Sequence, residues 1–454
     1  MIRPKSKPSW SNPDVLEFGQ GHDPIEKMMG VATAAGLDAI QNGWKGPPFD
    51  PFRLAEHLKL KVVPREDVAD ARTVPVGTDE FRVEYNPSRP RQRIRFSIAH
   101  EIAHTFLPGC RDRIRYRAGN SRREPGEWEL EVLCNVGAAE LLMPTGSLPD
   151  FKSKRMEIAG LLSLRQDFEV SAESVALRYA KTTDQPMFAF VASPLLASHT
   201  GGFHINYAVS SRTWGFCPTN GYRLPENGVV AACIAIGQTS HGRETWDEQV
   251  GPVDLECVGL PPYSGNVFPR VLGLAYPVSA KSGRPVEVEF VIGDATKPSG
   301  TGPKLIAQVV NDKTPNWGAG FALAVRKAWT KVQEGFRRWA AKSPGNLRLG
   351  NVLISEVSAE LAVASMVCQH GYGPSDKPRI RYVALQQCLQ QLGASARDKN
   401  ACVHMPRIGS GFGGGSWGLI AQLVDENLCR CGVPVRVYDL PGSKEQIGQK
   451  ALFD

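Results

Sequence analysis

Two of the nine histidines, His100 and His104, stand four residues apart in "FSIAHEIAHTFLPG" (96–109), and Glu101 directly follows the first. Side chains four residues apart lie on one face of an α-helix, so both imidazoles can reach one ion. Imidazole nitrogens are common zinc ligands, and a neighbouring carboxylate can act as a general base. The spacing predicts a zinc-dependent hydrolytic site. Two helix-face histidines held by core hydrogen bonds are the alternative.

A catalytic zinc site also needs a third protein ligand. The segment "EWELEVLCNVGAAELLMP" (127–144) has helical spacing, and Glu131 lies on the face that carries its apolar packing. Glu127, one turn earlier on the same side, is the rival. Glu140 lies about 180° away at 100° per residue, and we expect it to be solvated. Glu131 is therefore the candidate third ligand.

The order H-E-x-x-H, variable basic loop, E-x-x-x-N and AAELLMP resembles the ImmA/IrrE metallopeptidases over about residues 25–185. The resemblance implies a zincin-like fold with Glu101 as the general base. It also implies one Zn²⁺ bound by His100, His104 and Glu131. Such enzymes cleave a protein substrate, a repressor or toxin-like regulator, rather than digesting proteins broadly. Gly137 departs from the family, which usually has phenylalanine there, and we expect weaker local packing.

A second group of motifs lies towards the C-terminus. "MPRIGSGFGGGSWG" (405–418) lies between a predicted strand and a predicted helix. Its glycines let backbone N–H groups approach a diphosphate, and a helix N-terminus favours an anion. A plain strand-to-helix connection is the alternative. In "VIGDAT" (291–296), Asp294 follows a strand, where its carboxylate can accept from an adenine amino group. "VVNDKTPNWGAGFALAVRK" (309–327) is a second strand, glycine loop and helix.

Over about residues 286–442 these motifs resemble a macrodomain of the branch with ALC-like and terminal-ADP-ribose hydrolase forms. The resemblance implies an ADP-ribose pocket in which Asp294 holds adenine. The ribose side would be lined by Asn311, Gly318, Ala319 and Gly320. The diphosphate and distal ribose would be wrapped by Gly409, Ser410, Gly411, Phe412, Gly413 and Gly414.

The hydrolases of that branch use a lysine and an aspartate, and the corresponding residues here are Gln369 and Gly413. Neither side chain can act as a nucleophile or base in that chemistry. We therefore expect a binding module for an ADP-ribose-type nucleotide or an ADP-ribosylated target. ADP-ribosyl hydrolase activity is the alternative.

The elements that position these motifs indicate several domains, as 454 residues exceed one ordinary core. The predicted fold class is multidomain α+β and α/β. Four regions are expected: a flexible N-terminus (1–22), a zincin-like metallopeptidase domain (23–185), a β-rich middle domain with linker (186–285), and a three-layer α/β/α macrodomain (286–454).

Within the first of these domains, "FEVSAESVALRYAKTT" predicts a helix with Ser171 as its N-cap. This helix is either part of a helix-turn-helix-like element or purely structural. An oxyanion-stabilising residue is not assignable from the sequence. Tyr116, His204 and Tyr207 are the candidates.

Charge and hydropathy limit the partners. No apolar run approaches the ~18 residues of a membrane helix, and the N-terminus has no apolar signal region, so we expect a cytoplasmic protein without a membrane partner. The net charge of +7 permits nucleic-acid binding without requiring it. An arginine-rich stretch (110–124) is either a solvated loop or a nucleic-acid contact.

Two functional hypotheses follow. The first is a zinc endopeptidase guided or activated by a nucleotide-binding macrodomain, in stress or phage-defence signalling. The second is a DNA-damage or transcriptional regulator that binds nucleic acid and has a structural metal site.

Overall fold

A computed structural model describes residues 10–76, 80–108, 115–117, 127–148, 155–195, 202–214, 216–233, 235–262, 269–278, 288–373, 375 and 377–440. Only the backbone is described for 115–117, 127 and 128. Contacts between Cα atoms divide the chain into two units, 1–36 with 44–283 and 37–43 with 284–454. No helix within the described ranges is both long and apolar enough to cross a membrane.

The N-terminal part combines helices with a small mixed sheet. Its helices are α1 (Pro13–Gly19), α2 (Pro24–Gln41), α3 (Pro51–His57), α4 (Arg91–His104), α5 (Glu127–Leu142), α6 (Ile158–Asp167) and α7 (Ala172–Thr182). Its strands are β1 (Lys61–Pro64), β2 (Ala71–Pro75), β3 (Phe81–Tyr85) and β4 (Arg115–Arg117). The sheet order is β1-β3-β2-β4; β1 is parallel to β3, and β2 is antiparallel to both its neighbours. Helix α4 packs between β2 and α5, which places its buried face against both elements.

The described part of the N-terminus begins helix α1 with a side-chain cap. The Asn12 side chain accepts from the backbone N–H of Asp14 at 2.9 Å and so begins α1. The backbone N–H groups of Ser11 and Asn12 each donate to Glu129 Oε2 at 2.9 Å. The sequence gives no sign of the last two hydrogen bonds, because their acceptor lies on α5, over a hundred residues away.

The expected β-rich region is an antiparallel sheet of β5 (Phe188–Pro194), β6 (Phe203–Ser210), β7 (Thr239–Thr245), β8 (Pro252–Leu260) and β9 (Arg270–Pro277). The strand order is β6-β5-β9-β8-β7. This sheet belongs to the same contact unit as the N-terminal helices, where the sequence predicts a separate domain. Its link to the helices includes the Tyr276 hydroxyl, which donates to the carbonyl of Met156 at 2.8 Å. The backbone N–H of Met156 donates to Tyr179 of α7 at 3.1 Å.

The second unit alternates strands and helices, as predicted. Its strands are β10 (Val288–Ile292), β11 (Lys304–Asn311), β12 (Val352–Ser358), β13 (Leu361–Gln369), β14 (Cys402–Pro406) and β15 (Val435–Asp439). Its helices are α8 (Gly320–Ala328), α9 (Thr330–Lys342), α10 (Tyr382–Asp398) and α11 (Trp417–Asn427). The sheet order is β10-β15-β14-β11-β13-β12, and only the pairing of β12 with β13 is antiparallel.

Alternating side chains of β11 explain the layers of this unit. Leu305 and Ala307 belong to a core that includes residues of α10 and α11, whereas Ile306 and Val310 belong to a core that includes residues of α8 and α9. Successive residues of a strand point to opposite faces, so both faces of the sheet are covered by helices. The predicted multidomain fold with an α/β/α layer is confirmed.

Candidate active site

The metal-centre candidate is built on α4 and α5, which approach each other closely. A Cβ atom added to Gly137 of α5 would lie 2.8 Å from Cβ of Ala103 on α4 and 3.0 Å from Sδ of Met28. A phenylalanine at position 137 therefore does not fit. The departure from the family pattern permits close helix packing here, whereas the sequence suggested weaker packing.

His100 and His104 lie on this buried face, with side-chain exposures of 0% and 2%. His100 Nε2 is 3.4 Å from Glu131 Oε2, and His104 Nε2 is 3.7 Å from Glu131 Oε1. The opposite ring nitrogens also contact α5. Nδ1 of His100 is 3.0 Å from Oδ1 of Asn135, and Nδ1 of His104 is 3.2 Å from Sγ of Cys134. The two Nε2 atoms thus converge on the carboxylate of Glu131.

Cys134 is a second possible donor. Ligand atoms of His100, His104 and Cys134 lie within 4.8 Å of one another. The Cys134 sulfur, however, lies on the Nδ1 side of His104, and the two ring nitrogens of an imidazole point in different directions. The buried Nε2 of His104 has no hydrogen-bond partner among the described residues. Two imidazole Nε2 atoms with a carboxylate form a donor set that suits a catalytic zinc ion.

Charge in this cluster is set by burial and by close neighbours. Burial raises the pKa of Glu131, but His100 and His104 outweigh it and hold the pKa well below its usual range. Burial lowers the pKa of His104, but Cys134, Glu131 and Glu101 together raise it above its ordinary value. Burial raises the pKa of Cys134 and so favours its thiol form. Glu131 is therefore the anionic donor of the cluster.

Glu101, the expected general base, is buried and oriented by strand β2. The hydroxyl of Thr73 donates to Glu101 Oε2 at 2.7 Å and contacts the Glu101 carbonyl oxygen at 3.1 Å. Thr73 and Cys134 were not predicted to be site residues, and Asn135 entered the sequence analysis only as the last residue of the E-x-x-x-N motif. The E-x-x-x-N spacing is the local signal that points to Asn135, whereas Thr73 has none.

Glu140 is buried, which corrects the prediction that it is solvated. Its Oε2 lies 2.6 Å from Nη1 of Arg178, and its Oε1 accepts from Thr33 Oγ1 at 3.0 Å. Arg178 also donates from Nε to the carbonyl of Met143 at 3.2 Å. Glu140 is buried although it lies opposite Glu131, because α5 is packed on several sides. Arg178 therefore gives α7 an inward, structural role.

The structure also describes the helix cap at Ser171 and two of the three oxyanion candidates. The Ser171 N-cap is confirmed, since its hydroxyl accepts from the backbone N–H of Ser174 at 3.0 Å. Tyr207 donates its hydroxyl to Glu173 of α7. His204 Nε2 lies 3.4 Å from Nδ2 of Asn206, so both oxyanion candidates have polar contacts. The side chains of Tyr116 and Glu127 and most of the stretch 110–124 lie outside the described residues.

The nucleotide-loop candidates meet at one edge of the second unit's sheet. Strands β14, β11 and β13 are parallel neighbours, so the loops at their carboxyl ends share that edge. Gly409 and Gly414 have φ of 72° and 64°, a conformation that favours glycine. A Cβ on Gly320, at the start of α8, would lie 3.3 Å from the Phe412 ring, which is 78% exposed. The structure therefore brings these two glycine loops together.

Two of the polar residues expected to bind the nucleotide accept a hydrogen bond from a backbone N–H group two residues later in the chain. Asp294 Oδ1 accepts from the backbone N–H of Thr296, and Asn311 Oδ1 accepts from the backbone N–H of Lys313, both at 2.9 Å. In the loop after β14, the Ser410 hydroxyl donates to the carbonyl oxygen of Arg407 at 2.8 Å.

Asp312, which was not predicted, joins two of the loops. One of its oxygens lies 2.8 Å from Nδ1 of His370, and the other accepts from the backbone N–H of Gly371 at 2.9 Å. Burial raises the pKa of Asp312, but the Gly371 N–H and His370 outweigh it and lower the pKa. Gln369, which ends β13, is paired in register with Asn311.

Comparison with known proteins gives matches in both parts of the chain. Residues 58–179 match the family model of the IrrE N-terminal-like domain. The radiation response metalloprotease IrrE of Deinococcus radiodurans is 33% identical over 176 residues, which cover 38% of this chain and 45% of that protein. Mouse chromodomain-helicase-DNA-binding protein 1-like is 31% identical over 176 residues, 36% of this chain and 19% of that protein. The chain thus spans less than half of these curated relatives.

A solved structure, of a macrodomain protein from Streptomyces coelicolor, is 40% identical and covers 34% of this chain and 99% of that one, with a TM-score of 0.31. Residues 58–179 are therefore similar to the IrrE N-terminal-like domain, and about a third of the chain is similar in sequence to a macrodomain protein.

Proposed function

We propose that this chain is a zinc-dependent endopeptidase that cleaves a regulatory protein, with a macrodomain that binds ADP-ribose or a related NAD-derived nucleotide and guides or activates it. The peptidase half depends on one observation, the convergence of His100 Nε2 and His104 Nε2 on Glu131. The IrrE N-terminal-like match supports the protease class.

In this proposal His100, His104 and Glu131 hold the zinc ion. Asn135 and Cys134 contact the Nδ1 atoms and thereby orient both rings. Such contacts to the second ring nitrogen fix the tautomer of a metal-binding histidine. Glu131, whose side chain is 25% exposed, lies on the more accessible side of the cluster. A substrate would approach from that side.

Each catalytic group then has a defined task. Zinc, when bound, supplies Lewis-acid chemistry that polarises the scissile carbonyl. Glu101 takes a proton from the water that adds to the carbonyl carbon, and returns it to the amine nitrogen as the C–N bond breaks. Thr73 holds Oε2 of Glu101 and so fixes the direction of the carboxylate.

The macrodomain half depends on the two glycine loops that meet at Phe412 and Gly320. Backbone N–H groups of these loops and the N-terminus of α8 suit a diphosphate. Asp294 would bind adenine, and the exposed ring of Phe412 would cover the distal ribose. Gln369 and Gly413 supply no base for hydrolysis, so binding is the proposed activity.

The macrodomain either docks the peptidase on ADP-ribosylated targets or senses a free nucleotide. The sheet of β5–β9 is the proposed element for coupling or substrate docking. Glu173 of α7 binds Arg270 of β9 at 3.0 Å and accepts from Tyr207 of β6. A displacement of this sheet would therefore act directly on α7 through Glu173.

The peptidase proposal is tested by labelling new protein N-termini in cells that carry the wild type or Glu101→Gln. Glu56→Gln, at an exposed position of α3, is the matched control. One or a few N-termini should appear with the wild type and the control, and disappear with Glu101→Gln. Identical N-termini in all three strains would refute peptidase action.

The nucleotide proposal is tested by calorimetry of the full chain with ADP-ribose. Asp294→Ala should weaken binding at least tenfold, equivalent to about 1.4 kcal/mol. Asp398→Ala, at the exposed end of α10, should bind like the wild type. No heat with the wild type at millimolar ADP-ribose would refute the macrodomain half while leaving the peptidase half standing.

A further inference from the structure

One segment of the second unit carries a large excess of positive charge. The chain has 53 Lys and Arg and 46 Asp and Glu. Residues 313–355 contain eight of the former and one of the latter, so 45 of each sign remain elsewhere. The segment therefore has an excess of seven positive charges, as large as the formal net charge of the whole chain; the arginine-rich stretch 110–124 has an excess of four.

The structure places most of these cations on α8 and α9, two helices that contact each other. We name the basic face by its six members: Arg326, Lys327, Lys331, Arg337, Arg338 and Lys342. Five of them are exposed and Arg326 is half-buried. The opposite side of α9 is anchored in the core by Val332 and Phe336.

Helical geometry aligns three members of the basic face. Lys331, Arg338 and Lys342 lie within about 40° of one another at 100° per residue. They span 11 residues, or about 16 Å along the axis at 1.5 Å per residue. This row points away from the buried side, where residues 332, 333 and 336 are enclosed.

No member of the basic face forms an ion pair with a carboxylate among the described residues. Glu334, the one acidic residue of the segment, lies on α9 and forms none either. Elsewhere in this unit, Lys399, Arg407 and Arg436 have carboxylate partners. The basic face therefore presents unneutralised charge.

We infer that the basic face of α8 and α9 is a docking site for the phosphate backbone of nucleic acid. Duplex DNA carries one negative charge per ~1.7 Å of axis with both strands counted, so a duplex length equal to the 16 Å row carries about nine phosphates. Within about 40° of Lys331, α9 has only Gly335 besides these cations, so no large apolar side chain lies in the row; Glu334 and the half-buried Trp339 flank it at about 60° and 80°. A membrane-surface helix would require such apolar groups.

This surface differs from the nucleic-acid contacts that the sequence suggested. Arg178 of α7 is buried against Glu140 and cannot contact DNA. The inference also does not depend on the zinc site or on the nucleotide loops. It predicts a non-specific, salt-dependent affinity rather than base recognition.

The test is fluorescence anisotropy of the full-length protein with a labelled 20-base-pair DNA duplex between 50 and 200 mM salt. With up to six phosphate contacts, the slope of log K against log salt should approach about −5. Reversing charge in the row, with Lys331→Glu, Arg338→Glu and Lys342→Glu together, should reduce the slope to about −2 or −3. Affinity at 50 mM salt should fall at least a hundredfold.

A matched triple variant controls for net charge. Lys45→Glu, Arg53→Glu and Arg397→Glu reverse three exposed cations outside the basic face. This control should bind the duplex within about threefold of the wild type. Adding EDTA, or ADP-ribose at saturation, should leave duplex binding unchanged.

Several results would overturn the inference. These are absence of duplex binding by the wild type at 50 mM salt, an equal loss in both triple variants, and displacement of DNA by ADP-ribose. Tighter binding to polyglutamate or to phosphatidylserine vesicles than to the duplex would also overturn it, since it would identify another class of partner. Circular dichroism of the variants must match the wild type.

Discussion

Replacing Glu131 by alanine should cost the metal centre much more zinc affinity than replacing Cys134 by alanine. The carboxylate of Glu131 faces both Nε2 atoms, at 3.4 and 3.7 Å. Sγ of Cys134 instead lies 3.2 Å from Nδ1 of His104. A metal on the Nε2 side uses Glu131 as a ligand and Cys134 only as support for His104.

The expected magnitudes differ because a ligand and a supporting group contribute differently. Structural zinc sites with four ligands bind with about 10–16 kcal/mol, or roughly 3–4 kcal/mol per ligand. Loss of Glu131 should therefore weaken binding by roughly 100- to 1000-fold. Loss of a group that orients a ligand typically costs about 10- to 100-fold. Cys134→Ala should lie near the lower end, because a thiol is a weak donor.

The assay is competition for zinc with a chromogenic chelator, together with metal stoichiometry by mass spectrometry. Asn135→Ala serves as a second supporting-group variant, because Asn135 contacts Nδ1 of His100. Its loss of affinity should resemble that of Cys134→Ala. If Cys134→Ala loses more affinity than Glu131→Ala, the sulfur is the ligand and the assignment of Glu131 is refuted.

Three further predictions concern stability. Arg178→Met leaves the Glu140 carboxylate buried without its cation, so the free energy of unfolding should fall by about 3–5 kcal/mol in urea titrations. Adding Glu140→Leu should restore most of this loss. An unchanged free energy of unfolding in Arg178→Met would contradict the buried ion pair. Gly137→Val should destabilise by about 1–3 kcal/mol, because its Cβ would lie 2.8 Å from that of Ala103; wild-type stability would show that the helices can separate. Burial, followed by Arg436 and Lys304, lowers the pKa of His404 from 6.5 to about 4. As the pH falls through 6.5, the His404 imidazole binds a proton in the unfolded chain but not yet in the folded chain. The free energy of unfolding that is measured at β14 should therefore drop by about 2 kcal/mol from pH 7.5 to 5. Hydrogen exchange of residues 402–406 measures this, and His404→Gln should abolish the drop.

Local patterns predicted the features that depend on neighbouring residues. The H-E-x-x-H spacing requires only the 3.6-residue period of α4, and the Ser171 cap requires only the next three residues. The strand and helix alternation after residue 286 also follows from local periodicity. Gly137 shows the limit of this approach. Its close contact with Ala103 and Met28 depends on how three helices meet, so its role was judged wrongly.

Features that depend on distant partners could not be predicted. Thr73 orients Glu101 from a strand 28 residues earlier in the chain. Asp312 and His370, which join two loops of the second unit, are 58 residues apart. No periodicity links such residues, because a tertiary contact leaves no spacing signal in a single sequence. The glycine loops were found because backbone conformation restricts residue type locally.

Helix α5 shows why the residue type alone does not assign a role. Three of its four glutamates, at positions 129, 131 and 140, have described side chains, and these have three different environments. Burial raises the pKa of Glu129, but hydrogen bonds from Asn12 and Ser11 outweigh it and lower the pKa, so this carboxylate anchors the N-terminus of α1.

Glu140 is neutralised by Arg178 and holds α7, whereas Glu131 faces two imidazoles and has no guanidinium or ammonium partner among the described residues. Removing a carboxylate from water is costly unless a positive group completes its environment, and the half-buried Glu131 has the two imidazoles as its neighbours. Glu131 is thus the one of these three carboxylates that we propose as a metal ligand. The proposed metal site therefore rests on the partners of these three glutamates taken together.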